Sequence, residues 1–107
     1  GKEDSPSGTA IRTAEMMHAN GPNHSVIDNE KATIPGARGA IYKQIPIHSI
    51  RLPGLVAHQE VLLGGTGQTL SIKSNVVNRD AFIPGIKLAC KRVGTLTELC
   101  YGLEYLL

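Results

Sequence analysis

Between Gly8 and about Ala19 apolar residues recur at Ala10, Ile11, Ala14 and Met17, one stripe at helical spacing, with Arg12 and Glu15 placed to pair on the polar side. This predicts a first helix. Asn20-Gly21-Pro22 closes it, because Asn or Gly suits a left-handed cap and proline cannot continue the backbone ladder. Ser25 to Asp28 reads as a short strand, and Asn29 to Lys43, with Pro35, Gly36, Arg38 and Gly39, as a long aperiodic loop of a functional or partner-contacting kind. Ile45 to Leu52 is apolar on both alternating sets, Ile45 and Ile47 against Ile50 and Leu52, which predicts a strand covered on both faces. Pro46 pushes it towards an edge or a strand start.

Pro53-Gly54 turns the chain into Leu55 to Leu63, and Gly64-Gly65-Thr66-Gly67-Gln68 returns it as Thr69 to Ser74, a predicted hairpin. Leu55, Ala57, Val61 and Leu63 share one face of its first strand; His58 and Glu60 share the other with Val56 and Leu62. Helical spacing resumes from about Arg79 to Arg92, with Phe82, Ile86, Ala89, Cys90 and Val93 on one side and Lys87 and Lys91 on the other. Pro84 makes the first turn irregular or starts the regular helix near itself, and Gly94-Thr95 ends it. Leu96 to Leu107, rich in Leu and Tyr, predicts a short helix that packs against another surface.

At 107 residues the chain makes one domain, long enough for a core burying roughly 60 to 70% of the unfolded surface. With no Trp and one Phe, that core rests on Ile, Leu, Val and Ala. The net charge of +2 is dispersed, and no basic run exceeds Lys91-Arg92, so a nucleic-acid partner is not expected. Cys90 and Cys100 have no metal or redox spacing, and no apolar stretch of spanning length or signal peptide is present. The reading is a reduced, cytoplasmic protein without a membrane partner.

The stretch Lys2 to Ala10 concentrates the candidate chemistry. Pro6 holds Ser5 extended, Ser7 can cap the next turn, and Gly8 leaves the first helical amides open to an anion, with Lys2 as a full cation nearby. A plain helix cap is the ordinary reading of Ser7, Gly8 and Thr9, and a solvated amine that of Lys2. Their coincidence within a few residues raises the reading of a carboxylate site. Gly64, Gly65 and Gly67 resemble a phosphate loop but run into a strand, so they read as a hairpin turn. His18, His24, His48 and His58 lack ligand spacing, so no metal site is expected; His48 and His58 read as structural residues that could meet across a sheet, and Cys90 as a small core residue.

The wording K-x-D-x-P-S-G-T-A at Lys2 to Ala10 resembles the active-site segment of the dihydrodipicolinate reductase family, nicotinamide-dependent enzymes of lysine (diaminopimelate) biosynthesis. Ile45 to Gly65, IPIHSIRLPGLVAHQEVLLGG, is similar to the strand pair of its C-terminal domain in the Gram-positive form, and Arg79 to Ala89, RDAFIPGIKLA, to the helix that follows. The resemblance spans nearly the whole chain. It implies an α+β fold: a roughly four-stranded mixed sheet with two or three flanking helices, the sheet used to build a homotetramer. It implies that residues 1–107 are the C-terminal substrate-binding and oligomerisation domain, with the dinucleotide-binding domain and a His-His pair missing from this chain. It implies a cyclic dicarboxylate substrate, 4-hydroxy-tetrahydrodipicolinate, with Lys2 as proton donor or charge partner and Gly8, Thr9 and Ser7 holding a carboxylate. NADPH or NADH would serve the full-length enzyme, and these residues alone are expected to bind neither and to be inactive. The alternative is a stand-alone, non-catalytic anion-binding or assembly module on the same scaffold.

Overall fold

The structure, a computed structural model, describes residues 3–21 and 31–107. They are α+β and divide into two compact units, the first ending at Pro53 and the second beginning at Gly54. The strand expected at Ser25 to Asp28 lies outside the described residues.

In the first unit α1 runs Gly8–Asn20, with Ala14 buried beneath it and Arg12 3.7 Å from Glu15 as the spacing requires. Its end differs from expectation. Gly21 is extended (φ −97°, ψ 168°) rather than left-handed, and its N–H donates to the Met17 carbonyl at 2.7 Å. Strands β1 (Ala40–Tyr42) and β2 (Ile45–Ile47) then form a tight antiparallel hairpin, register Tyr42↔Ile45 to Ala40↔Ile47. β2 packs on α1 and buries Ile45. The Tyr42 hydroxyl donates to Glu15 Oε1 at 3.1 Å, so the hairpin is also tied to the helix by a polar bond. That bond and the neighbouring Glu15 charge raise the Tyr42 phenol above its ordinary value.

β1 corrects two expectations. It lies inside the supposed loop up to Lys43, and the expected strand to Leu52 stops at Ile47. The connecting residues, Lys43 (φ 48°) and Gln44 (φ 65°), are both left-handed, the backbone of a type I′ turn. Such turns usually use Asn-Gly, so Lys-Gln gives no warning of one. Lys43 Nζ stands 5.8 Å from the Tyr42 ring centroid, a weak cation–π contact that helps hold it there. Gly39 (φ +74°) is required by position as well as conformation, since a Cβ would stand 2.4 Å from the Ile47 carbonyl oxygen.

The second unit holds β3 (Ala57–Gly65) and β4 (Gln68–Val76), antiparallel in the register Ala57↔Val76 to Gly65↔Gln68, as the sequence pattern indicates. The strands continue through Gly64 and Gly65, leaving Thr66 and Gly67 (φ +71°) as the two-residue turn. Cross-strand pairs line one face: His58 Nδ1 lies 2.9 Å from Asn75 Oδ1, the Ser71 hydroxyl donates to Glu60 Oε1 at 2.6 Å, and Lys73 is 3.7 Å from Glu60 Oε2. His58 thus finds its partner on the neighbouring strand. After a 3₁₀ turn (Arg79–Phe82), α2 runs Ile83–Arg92 with Pro84 in its first turn, where a missing N–H costs little. A second 3₁₀ turn, Val93–Thr95, ends it, and a third, Leu103–Leu106, packs back on α2.

Among the described residues the strands therefore pair two and two, both antiparallel, rather than as the single mixed sheet expected. Apolar alternation fixes which residues share a face, not which strands become neighbours. Cys90 is exposed, not a core residue, and among the described residues only Ala14 and Ile45 are buried apolar side chains. The core expected from length is not reached.

Replacing Lys43-Gln44 by Asn-Gly is predicted to stabilise the first unit by about 1 kcal/mol, because two ordinary residues no longer bear the left-handed penalty. Urea unfolding of Lys43→Asn/Gln44→Gly measures it; a lower midpoint at unchanged slope would contradict the turn assignment.

Candidate functional site

Ser7 stands extended (φ −71°, ψ 153°) immediately before α1, and its Oγ accepts from the Ala10 N–H at 3.3 Å while its carbonyl accepts from Ile11 at 3.0 Å. This is the capping arrangement the sequence suggests, with Ser7 half-buried. Accepting one bond leaves the Ser7 hydroxyl proton available to donate. The next two N–H groups, of Gly8 and Thr9, have no acceptor among the described residues, as expected for the first turn of a helix. Both residues are exposed.

No acidic side chain stands in the first turn of α1, so the partial positive charge of the helix start, roughly half a unit, is not neutralised from within the helix. A Cβ at Gly8 would meet nothing within 4 Å, and Gly8 does not need positive φ. Its lack of a side chain leaves the amides approachable without serving the backbone. Two free amides beside the Ser7 hydroxyl make a donor-rich helix start of the kind that can take one carboxylate. Lys2, the expected cation, lies outside the described residues.

One contact at this corner was not legible in the sequence. Arg51, on the irregular segment after β2, donates from Nη2 to the Asp4 carbonyl at 2.6 Å and from Nη1 to the Ile50 carbonyl at 3.0 Å. The partners Arg51 and Asp4 are 47 residues apart, and neither carries a local motif that announces the bond.

Other surfaces suit a dicarboxylate less well. The Gly64–Gly67 segment joins β3 to β4, so it has no helix start to offer a pyrophosphate. An open groove of about 450 Å³ in the second unit is lined by Ala81, Phe82, Gly85, Ile86, Ala89 and Leu103, with no charged group. No cluster of three metal-ligating side chains is found among the described residues.

The family model described as "Dihydrodipicolinate reductase, C-terminus" matches residues 1–107. A 4-hydroxy-tetrahydrodipicolinate reductase of Legionella pneumophila (strain Lens) is 55% identical over 106 residues, which cover 99% of this chain and 44% of the relative. One from Limosilactobacillus fermentum is 46% identical over 106 residues, covering 99% and 41%. A solved structure, "Dipicolinate bound Dihydrodipicolinate reductase from Paenisporosarcina sp. TG-14", superposes with a TM-score of 0.85 at 48% identity, covering 99% of this chain and 40% of that one. The chain spans about four-tenths of the length of the relatives it matches.

If Ser7 caps the helix while Gly8 merely keeps it open, two substitutions separate in denaturant. Ser7→Ala is expected to cost about 1 kcal/mol. Gly8→Ala is expected to leave stability unchanged or raise it by up to about 1 kcal/mol, since the site is roomy and Ala favours helix. A large loss for Gly8→Ala would mean that Gly8 serves the backbone after all.

Proposed function

The chain belongs to the dihydrodipicolinate reductase family, matching its C-terminal domain, and from that premise we propose that it is the substrate-binding and oligomerisation part of a reductase acting on 4-hydroxy-tetrahydrodipicolinate in lysine biosynthesis. The observation that carries this reading is the donor-rich start of α1, with Gly8 and Thr9 N–H groups unpartnered, an open face at Gly8 and no acid in the first turn. Gly8 and Thr9 bind one substrate carboxylate through their amides and the Thr9 hydroxyl. Ser7 adds its hydroxyl proton while keeping its capping bond. Lys2, close along the chain, is the charge partner or proton donor. The related Paenisporosarcina enzyme is dipicolinate-bound, and a planar ring with two carboxylates is the kind of ligand such a corner selects.

Reduction needs NADPH or NADH, for which the described residues offer no site; a dinucleotide-binding part of the enzyme would supply it. These residues hold the substrate and exclude the wrong orientation of its carboxylates. We place the reaction in the cytoplasm, in keeping with two free thiols at Cys90 and Cys100.

The β3–β4 hairpin is the proposed assembly surface, building a homotetramer. Leu70 and Ile72 are 56% and 60% exposed on one face, and Leu62 is 70% exposed on the other. A two-stranded sheet bare on both sides is marginal in water, and another copy's sheet is a cover of matching shape. The wider sheet expected from the sequence would then be completed between copies.

The magnitudes favour a real but weak carboxylate site. A lysine about 4 Å from a carboxylate gains on the order of 4 kcal/mol gross at an effective dielectric near 20, before desolvation and ordering costs. An exposed helix start adds roughly 0.3 to 1 kcal/mol. Net affinity of this chain for dipicolinate is expected near millimolar, about 4 kcal/mol. Titration with dipicolinate should shift the amides of Gly8 and Thr9, and the effect should shrink in Thr9→Val, in Gly8→Ala and in high salt. Shifts centred on residues 64–67, or indifferent to Thr9→Val, would place the ligand elsewhere and overturn the site.

A further inference from the structure

We propose that Arg51 is a positioning residue for the substrate-binding loop, clamping the main chain at Asp4 and so limiting where Lys2 can reach. This deepens the function proposed above and rests on it for its catalytic meaning, while the clamp itself is a property of the first unit alone.

The geometry has three parts. Arg51 Nη1 donates to the carbonyl of its own neighbour Ile50 at 3.0 Å, which fixes the orientation of the guanidinium before it reaches the loop. Nη2 then donates to the Asp4 carbonyl at 2.6 Å, a short charge-assisted bond. The acceptor is main chain, so the bond restrains the backbone rather than a side chain that could rotate away. A planar fork serves two carbonyls at once in a way an ammonium cannot.

Its position gives the clamp a consequence. Asp4 precedes the capping Ser7 by three residues and follows Lys2 by two. The chain geometry therefore keeps the Lys2 Cα within about 7 Å of the Asp4 Cα, whatever the intervening dihedrals. On one side the loop ends in α1, tied down by the bonds of Ser7 to Ala10 and Ile11. Holding the carbonyl at Asp4 fixes the other side. Without Arg51, the loop would be anchored only at the helix, and the ordering cost of bringing the Lys2 amine to a bound carboxylate would rise. Arg51 itself comes from the segment that follows β2, which packs on α1, so clamp and helix start share one support.

The test uses the whole chain, two readouts and dipicolinate as the probe. In the absence of ligand, Arg51→Met should lower the backbone order parameters of Asp4 and Ser5 from rigid values near 0.85 towards 0.6, while Ser7 and the amides in the middle of α1 stay rigid. Dipicolinate affinity should fall about tenfold, the order expected for losing one hydrogen bond to a charged group, and Arg51→Lys should recover part of it. Because Arg51 acts through the loop bearing Lys2, the same substitution in a Lys2→Ala background should cost less than about twofold. Equal losses in both backgrounds would show that Arg51 touches the ligand independently and would overturn the positioning role. Unchanged order parameters at Asp4 and Ser5 would overturn the clamp outright. If the unsubstituted chain shifts no amide with dipicolinate, the substrate reading falls, and the ligand-free order parameters still decide the clamp.

Discussion

Both faces of the β3–β4 hairpin carry apolar side chains in water, and this shortage of cover governs the rest of the domain. Leu62 faces out beside His58 and Glu60, while Leu63, Leu70 and Ile72 face out on the opposite side. The stripe along α2 and its flanking 3₁₀ turns is no better covered, with Phe82, Ile86 and Val93 all exposed. Fully burying one Leu or Ile stabilises by about 1.5 to 3 kcal/mol, so a handful of such side chains can contribute as much as the whole net stability of a small domain. A chain with so little buried surface of its own has its stability tied to whatever covers these faces.

The first unit works on a smaller scale with a different balance. Ala14 and Ile45 are buried apolar residues there, and polar bonds supply part of the remaining order: Tyr42 to Glu15, Arg12 to Glu15, Ser7 to Ala10 and Arg51 to Asp4. Such bonds have directions, and that is what a binding corner needs. The amides of Gly8 and Thr9 point where the helix start points them, and the helix is held by its cap at one end and by Ile45 and Tyr42 along its body. The proposed carboxylate site lies at the start of α1, and the proposed assembly surface is the hairpin.

Periodicity made α1, the β3–β4 hairpin and α2 legible, including the irregular start of α2 near Pro84, because these elements express a period over many residues. It failed at β1, which is too short to show a period, overran β2, which ends at Ile47 rather than Leu52, and missed Lys43-Gln44, whose left-handed backbone goes against the usual choice of turn residues. Hairpin turns made the β3–β4 pairing legible, but whether separate strand pairs join into one sheet was beyond reach, since alternation says nothing about more distant neighbours. The Ser7 cap and the helix start at Gly8 could be read because both are local. Arg51 could not, because its bond to Asp4 is made only by the fold.

We propose that other copies of the chain cover the hairpin's two apolar faces, and light scattering coupled to size exclusion measures this with Leu62→Glu and Ile72→Glu run beside the unsubstituted protein. A multimer, most simply a tetramer, that dissociates when either face is charged is the expected result. A monomer at high concentration, unchanged by both substitutions and no less stable than they are, would contradict it.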